Sequence, residues 1–212
     1  MKLLGRRTSI NVQKVLWALA EMGAEATQID LGGKFGGLDD PDYRRLNPMG
    51  KVPTLIDGDL VLWESNAILR YVSVTHAQGR LAGKTPADRA RADIWMEWFQ
   101  NNLYADLTSV FSHSFRLPPS RRDPQLLDGA LTRLNAGYDV LNRHLSDRPF
   151  VTGNDLSMGD IPVGASLYRY FTLDIERPDF PALADYYERL KARTPYRETV
   201  MVSYQELRIP GD

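Results

Sequence analysis

The stretch NPMGKVPTLIDGDLVLWESNAI, residues 47–68, decides the fold of this chain. Residues 51–56 and 60–63 have the apolar composition of short strands, and the Asp57-Gly58 pair between them is typical of a hairpin turn. Ser65 is a good N-cap for the helix that follows, because its hydroxyl can accept a hydrogen bond from a free backbone N–H. The stretch therefore predicts an antiparallel hairpin that leads directly into a helix.

The residues before this stretch predict two further strands with helices between them. Residues 1–5 fit a buried strand, and a helix with one apolar face begins at Asn11 and ends before Gly23, a typical C-cap residue. Residues 26–31 predict a second strand and residues 40–46 a short helix. Two crossovers followed by an antiparallel hairpin imply a small mixed sheet covered by helices.

The remainder of the chain predicts helices and no strand. Residues 78–84 are polar and contain two glycines, and they form the predicted linker. Thr85-Pro86 with Asp88 has the pattern of a helix start, and this helix is predicted to run to about Phe115. A second helix is predicted to begin at Asp123-Pro124. A third is predicted to begin at Ser157–Asp160, with Asp160 as a capping acid, and a fourth to cover residues 182–193 and to be ended by Pro195. The second domain is expected to be an all-helical bundle.

Composition excludes several kinds of chemistry. The 212 residues contain 26 basic and 27 acidic side chains, so charge gives no case for nucleic acid or an anionic membrane surface. No apolar run approaches the roughly 18 residues that span a bilayer, and the start of the chain does not have the pattern of a secretory signal, which predicts a cytoplasmic protein. The chain has no cysteine, so thiol chemistry needs a thiol supplied by a ligand. The three histidines lack metal-ligand spacing, and no metal is predicted.

Two predicted helix N-termini and one unusual proline form the candidate site. The N-termini lie at Thr8–Asn11 and Glu64–Asn66, where free N–H groups and the helix dipole favour anions. Between them lies Lys51-Val52-Pro53, and a proline at the start of a strand forfeits a ladder hydrogen bond. A cis Val52–Pro53 bond would explain this proline. It would also turn the Val52 N–H and C=O outward, ready to pair with an extended peptide.

The paired motifs at residues 47–55 and 63–68 resemble the glutathione-site signature of the cytosolic glutathione S-transferases. The resemblance covers the whole chain and implies the fold of that family. This fold has an α/β thioredoxin-like N-terminal domain over residues 1–81 that binds glutathione. An all-α C-terminal helical bundle domain over residues 86–212 contributes the electrophile pocket. The resemblance also implies a role in detoxification and a homodimer.

By the same resemblance, Lys51-Val52-Pro53 and Glu64-Ser65 are implied to bind glutathione. Val52 would hydrogen-bond the cysteinyl backbone, and Glu64 and Ser65 would hold the γ-glutamyl end. The chemistry agrees, because an α-ammonium suits a carboxylate and an α-carboxylate can accept from a hydroxyl and from helix N–H groups. Lys51 could reach the glycyl carboxylate, and Lys34 is a second candidate for that role.

The catalytic residue is implied in the same way. In the bacterial serine-type classes (theta, delta and nu-like), a serine follows strand one, six residues before a helical valine, and Ser9 precedes Val15 by this spacing. Lowering a thiol pKa from about 8.5 by about 2 units requires roughly 2.7 kcal/mol. One hydrogen bond to a charged group supplies about 1.5–3 kcal/mol. Asn11 is a second candidate in this scheme, either beside Ser9 or in its place, and Thr8 is the other hydroxyl in reach.

The predicted function is therefore attack by an activated glutathione thiolate on an electrophilic, apolar second substrate. Two or three aromatic residues of the first long helix in the bundle are expected to line the pocket for that substrate. Two alternatives stay open. One is a glutathione-dependent disulfide-bond reductase or peroxidase that uses no enzyme cysteine, and the other is a non-catalytic ligand-binding protein of the same fold.

Overall fold

The computed structural model describes residues 1–76 and 80–211. Its strands are β1 (Lys2–Leu4), β2 (Thr27–Ile29), β3 (Thr54–Asp57) and β4 (Leu60–Trp63). They form one sheet in the order β2-β1-β3-β4, in which β1 and β2 are parallel and the other two pairs are antiparallel. This is the mixed sheet that the sequence predicts.

Three helices accompany the sheet: α1 (Ile10–Met22), α2 (Pro41–Leu46) and α3 (Ser65–Thr75). Gly23 ends α1 as predicted, in the left-handed conformation with φ 64° that a glycine adopts without steric cost. The β3–β4 turn lies one residue later than predicted, at Gly58 and Asp59. Gly58, with φ 59°, supplies the positive φ that a two-residue hairpin loop needs.

The helical part of the chain begins with the predicted capping box. Thr85 accepts a hydrogen bond from the Asp88 N–H, and the Asp88 carboxylate accepts one from the Thr85 N–H. The helices are α4 (Pro86–Asn102), α5 (Tyr104–Phe111), α6 (Pro124–His144), α7 (Asp160–Thr172), α8 (Pro181–Lys191) and α9 (Thr194–Thr199), and a π-helical turn (Ser112–Arg116) continues α5. No helix among the described residues is long and apolar enough to cross a membrane.

The prediction of one helix from Pro86 to about Phe115 is wrong, because the helix breaks at Leu103. This residue has φ −116° and ψ −33°, and its side chain is fully buried. It fills the space left by Gly137 on α6, where an added Cβ would lie only 2.2 Å from Leu103 Cδ2. The break sets Tyr104 at the start of α5.

The predicted role of Pro195 also needs correction. The sequence predicts that it ends the helix of residues 182–193, but α8 ends at Lys191 and Pro195 lies in the first turn of α9. A proline is tolerated there because its missing N–H would have had no partner within the helix. Gln78 and Gly79, part of the predicted linker, lie outside the described residues, and the domain boundaries at residues 81 and 86 stay a prediction.

Helix α1 lies at the junction of the two halves. It packs against α3 on the sheet side and against α7 and α9 on the helical side. Trp17 is completely buried there, with its ring 4.9 Å from that of Tyr196. Gly164 on α7 permits this approach, since an added Cβ would lie 2.7 Å from the Trp17 ring. The middle of α1 is thereby packed closely against the helical half.

Candidate active site

A cavity of about 200 Å³ lies between the start of α1, the loop before β3 and the start of α3. We call it the Val52 cavity. Six of the predicted site residues line it: Asn11, Lys51, Val52, Pro53, Glu64 and Ser65. Asn47, Met49, Gln100 and Tyr104 complete its wall. The structure therefore brings together residues from three separate segments of the first 66 residues, as the motif pair predicts.

The Val52 backbone is free to bind a ligand. The Val52–Pro53 bond is cis, as expected. Within the described residues, neither the Val52 N–H nor its C=O makes a hydrogen bond. The loop itself is held from behind, because the Asn47 amide donates to the Lys51 carbonyl at 2.8 Å and the Tyr43 hydroxyl donates to the same oxygen. A rigid loop with an open backbone edge is suited to pairing with an extended peptide.

The start of α3 is uncapped. The prediction that Ser65 is its N-cap is wrong, because Glu64 occupies that position with φ 69° and its side chain makes no capping hydrogen bond. Ser65 is the first helical residue, and its hydroxyl donates to Asn11 Oδ1 at 3.3 Å. The first N–H groups of α3 therefore have no side-chain cap. Glu64 and Ser65 line the Val52 cavity at this helix end, and free N–H groups at a helix start favour a carboxylate.

Ser9 lines a second, smaller cavity. It is the N-cap residue of α1, but its hydroxyl makes no capping bond and has no hydrogen-bond partner within the described residues. The cavity it lines, which we call the Ser9 cavity, has a volume of about 110 Å³ and also contains Arg6, Thr8 and Phe111 in its wall. Ser9 and Asn11 are therefore only two positions apart in sequence but line different cavities.

Tyr104 lies between the two cavities and lines both of them. Its hydroxyl accepts a hydrogen bond from Asn11 Nδ2 at 3.0 Å. Since Asn11 also accepts from Ser65, both ends of its amide are engaged within the protein. Sequence reasoning placed Tyr104 only among the aromatic residues of a long helix. Its position at the site depends on the break at Leu103, which has no clear signal in the sequence.

Lys34 and Thr8 are engaged elsewhere. Lys34 is exposed, lies outside both cavities and forms an ion pair with Glu206 at 2.5 Å. The Thr8 hydroxyl donates to the other oxygen of the Glu206 carboxylate at 2.9 Å. Together the Lys34 ammonium and the Thr8 hydroxyl lower the pKa of Glu206. The structure therefore does not bring Lys34 to the Val52 cavity, and the Thr8 hydroxyl has a partner within the protein.

Lys14 is a buried cation behind the site that sequence reasoning missed. Its side chain is completely inaccessible, and its ammonium has no hydrogen-bond partner within the described residues. The ammonium lies 5.0 Å from the ring centre of Phe99 and 5.3 Å from that of Tyr104. Burial lowers the pKa of Lys14 to about 7, and the negative charge of Glu64 opposes this shift.

The fold is that of a thioredoxin-like protein with an attached helical domain: its mixed sheet has four strands, and a cis-proline loop lies beside an uncapped helix end. This arrangement is suited to binding a small peptide. Comparison with known proteins agrees. Residues 1–74 match the family described as glutathione S-transferase, N-terminal domain. Residues 124–189 match the family described as glutathione S-transferase, C-terminal domain.

Two bacterial relatives match nearly the whole chain. Glutathione S-transferase GstB of Escherichia coli K12 is 35% identical over 202 residues, which cover 94% of this chain and 97% of that protein. The theta class glutathione S-transferase from Xanthomonas axonopodis pv. citri, solved with glutathione bound, is 42% identical with a TM-score of 0.92. That match covers 95% of this chain and 97% of the solved one. The chain belongs to the glutathione S-transferase family and is a glutathione transferase, as the motif pair predicts.

Proposed function

We propose that glutathione lies extended across the Val52 cavity and that the enzyme uses its thiolate to attack an electrophilic carbon of a second substrate. One observation carries this proposal. The free Val52 backbone shares a cavity with the Lys51 ammonium, the Glu64 carboxylate and the uncapped start of α3. Each of these groups complements a different part of the tripeptide. The relative from Xanthomonas axonopodis, solved with glutathione bound, supports the same ligand.

The proposed contacts follow from charge. The γ-glutamyl carboxylate accepts from the first N–H groups of α3, and its ammonium pairs with Glu64. The cysteinyl backbone pairs with Val52, next to Pro53, and Lys51 reaches the glycyl carboxylate. Lys34 is a less favoured candidate for that carboxylate because it is paired with Glu206. No group of three or more His, Asp or Glu side chains within the described residues is arranged to hold a metal ion.

In this arrangement the thiol points towards the start of α1, where Ser9 and Asn11 are the candidates for thiolate contact. The unpaired Ser9 hydroxyl is free to donate to the sulfur, whereas the Asn11 amide is already engaged by Tyr104 and Ser65. We therefore assign thiolate stabilisation to Ser9 and the orientation of its neighbours to Asn11. The helix dipole of α1 adds to the effect of the hydroxyl.

The test is conjugation of glutathione to a chloronitrobenzene by Ser9→Ala, with the pKa of the bound thiol followed by thiolate absorbance. We expect the thiol pKa to rise by about 1–2 units and turnover at neutral pH to fall about 10- to 100-fold, while glutathione affinity changes little. Ser203→Ala, which removes an exposed hydroxyl, is the control. Unchanged turnover in Ser9→Ala together with its loss in Asn11→Ala would reverse the two roles.

Parallel assays separate the alternatives. A reductase or peroxidase would act on hydroxyethyl disulfide or a hydroperoxide faster than on the chloronitrobenzene. A non-catalytic binding protein would bind glutathione without lowering its thiol pKa. We expect conjugation to exceed both other activities.

We also propose that the enzyme is a cytoplasmic homodimer, in which the first domain of one subunit faces the helical domain of the other. Apolar side chains that stay exposed on neighbouring elements support the dimer. Trp63 on β4 is 37% exposed, Val74 on α3 47% and Ile94 on α4 63%. A contact between subunits would bury such exposed apolar side chains.

A further inference from the structure

The wall of the Ser9 cavity carries three arginine side chains: Arg6, Arg116 and Arg169. Within the described residues, none of the three forms an ion pair with a carboxylate. The guanidinium groups of Arg6 and Arg116 make no hydrogen bond there either, and Arg6 Nε is buried without a partner. A buried guanidinium N–H is normally paired, so the unpaired Nε of Arg6 favours an anion in this cavity.

The three positive charges oppose one another. The pKa of Arg6 is lowered mainly by burial and also by the charge of Arg116. Burial, with smaller contributions from Arg6 and Arg116, lowers the pKa of Arg169 to about 10, so this side chain stays charged at neutral pH. Glu206 is the carboxylate that acts on Arg6, and it is already shared between Lys34 and Thr8. The cavity therefore keeps an excess of positive charge.

The fold holds two of these arginines in place. Arg169 donates to the Thr8 carbonyl at 2.6 Å, and its guanidinium lies 4.5 Å from the ring centre of Phe111. The Arg6 side chain lies beside Gly32 and Gly33, where an added Cβ would come within 3.2 Å and 3.0 Å of it. These contacts fix the positions of two of the three charges in the cavity that Ser9 lines. Such fixed, forked donors suit an oxyanion.

We infer that the Ser9 cavity is the site of the second substrate and that it selects small electrophiles that carry a carboxylate or a similar oxyanion next to the reactive carbon. This inference rests on the proposed function, because the thiolate must reach the same cavity from the Val52 side. It differs from the expectation of an apolar electrophile. The volume of about 110 Å³ favours a short acid over an extended aromatic substrate.

With chloroacetate as the probe, the reaction balances without a further reagent. The glutathione thiolate attacks the carbon that bears chlorine, a C–S bond forms, and chloride leaves with the electrons of the C–Cl bond. The thiol proton is released to solvent when the thiolate forms. The arginines hold the carboxylate so that the carbon faces the sulfur. They also offset the repulsion between two anions that slows the reaction in water.

The experiment compares chloroacetate with chloroacetamide, a neutral probe of nearly the same shape. Each kcat/KM is divided by the rate constant of the uncatalysed reaction with glutathione. We expect this ratio to favour the carboxylate by about tenfold or more, which is the effect of one charge-assisted hydrogen bond. Arg6→Gln and Arg116→Gln should each reduce the preference at least about fivefold, because the loss in kcat/KM should be larger for chloroacetate than for chloroacetamide. Arg121→Gln, an exposed arginine outside the cavity, should change neither.

Two results would overturn the inference. One is an equal ratio for the two probes. The other is an equal loss for both probes in the arginine variants, which would mean that the arginines act on the thiolate and not on the substrate. Because Arg116 is exposed, Arg116→Gln tests the idea even if Arg6→Gln fails to fold.

Failure of the proposed function gives a different pattern. If glutathione binds by calorimetry and chloroacetamide is turned over without a carboxylate preference, the proposed function stands and the inference alone is wrong. If glutathione does not bind and neither probe is turned over, the proposed function fails, and the inference fails with it.

Discussion

Lys14, behind the site, is a single residue that carries a cost in stability. A buried ammonium without a hydrogen-bond partner is unfavourable, since the interior replaces water poorly around a charge. The rings of Phe99 and Tyr104 offer only partial compensation. The low pKa of Lys14, about 7, is the thermodynamic expression of this cost.

We predict that Lys14→Met is more stable than the wild type at pH 6–7 and that its advantage shrinks as the pH rises. Between pH 7 and the unfolded pKa of 10.5, the unfolded state binds the Lys14 proton and the folded state does not. Wild-type stability therefore rises with pH in this window, by at most about 1.4 kcal/mol per pH unit. Urea unfolding at pH 6, 8 and 9.5 measures the difference between the two proteins.

The matched control for Lys14→Met is Lys2→Met, because Lys2 is exposed on β1. It should show no pH-dependent difference from the wild type. A difference between Lys14→Met and the wild type that stays constant from pH 6 to 9.5 would contradict the buried, low-pKa state of Lys14.

At the scale of elements, one buried carboxylate joins the start of α7 to its surroundings. Asp160 is fully buried, and its two oxygens accept four hydrogen bonds: from the N–H of Val151, from the N–H and hydroxyl of Ser157, and from the hydroxyl of Tyr186. The sequence predicts Asp160 as a capping acid. The structure adds that it also binds α8 and the loop before α7.

We predict that Asp160→Ala destabilises the protein by about 3–5 kcal/mol. The substitution leaves several buried donors without an acceptor, and each of these carries a desolvation penalty. Asp155→Ala is the control, since Asp155 lies nearby in the chain but is exposed. Chemical unfolding measures both variants. A loss below about 1 kcal/mol for Asp160→Ala would show that water or rearrangement satisfies the donors.

At the scale of the whole molecule, α1 connects the sheet half to the helical half. In addition to the buried Trp17, the Glu21 carboxylate accepts two hydrogen bonds from the Arg193 guanidinium, at 2.6 and 2.7 Å. The Met158 N–H donates to the Leu81 carbonyl at 2.8 Å on the same side of the molecule. These contacts fix the end of α1 and the segment at Leu81 against the helical half of the molecule.

We predict a mass in solution of about 48 kDa, twice the 24.0 kDa of the chain, by sedimentation equilibrium. Ile94→Glu on α4 should shift the protein to the monomer, because a charge in an apolar contact between subunits costs several kcal/mol. Leu126→Glu is the control, since Leu126 is also exposed but lies on α6. If Leu126→Glu dissociated the dimer and Ile94→Glu did not, the interface would lie on the α6 face and not on the α4 face.

The sequence by itself determined the features that depend on a few neighbouring residues. It predicted the hairpin before Ser65, the cis Val52–Pro53 bond, the glycine that ends α1 and the capping box of α4, and the paired motifs identified the family. Such features are set by local backbone geometry and by hydrogen bonds between residues at most a few positions apart. The pattern that specifies them is therefore contained in a short segment.

Only the tertiary structure decided how the site is divided. It separates Ser9 from Asn11, sets Tyr104 between their cavities and pairs Lys34 with Glu206. It also gathers arginines from the segment after β1, from the π-helical turn after α5 and from α7 in the wall of the cavity that Ser9 lines. These arrangements join residues about 100 to 170 positions apart along the chain. Hydrophobic periodicity predicts which side of a helix is buried. It does not predict which distant side chain contacts that side, because the contact depends on how the helices pack.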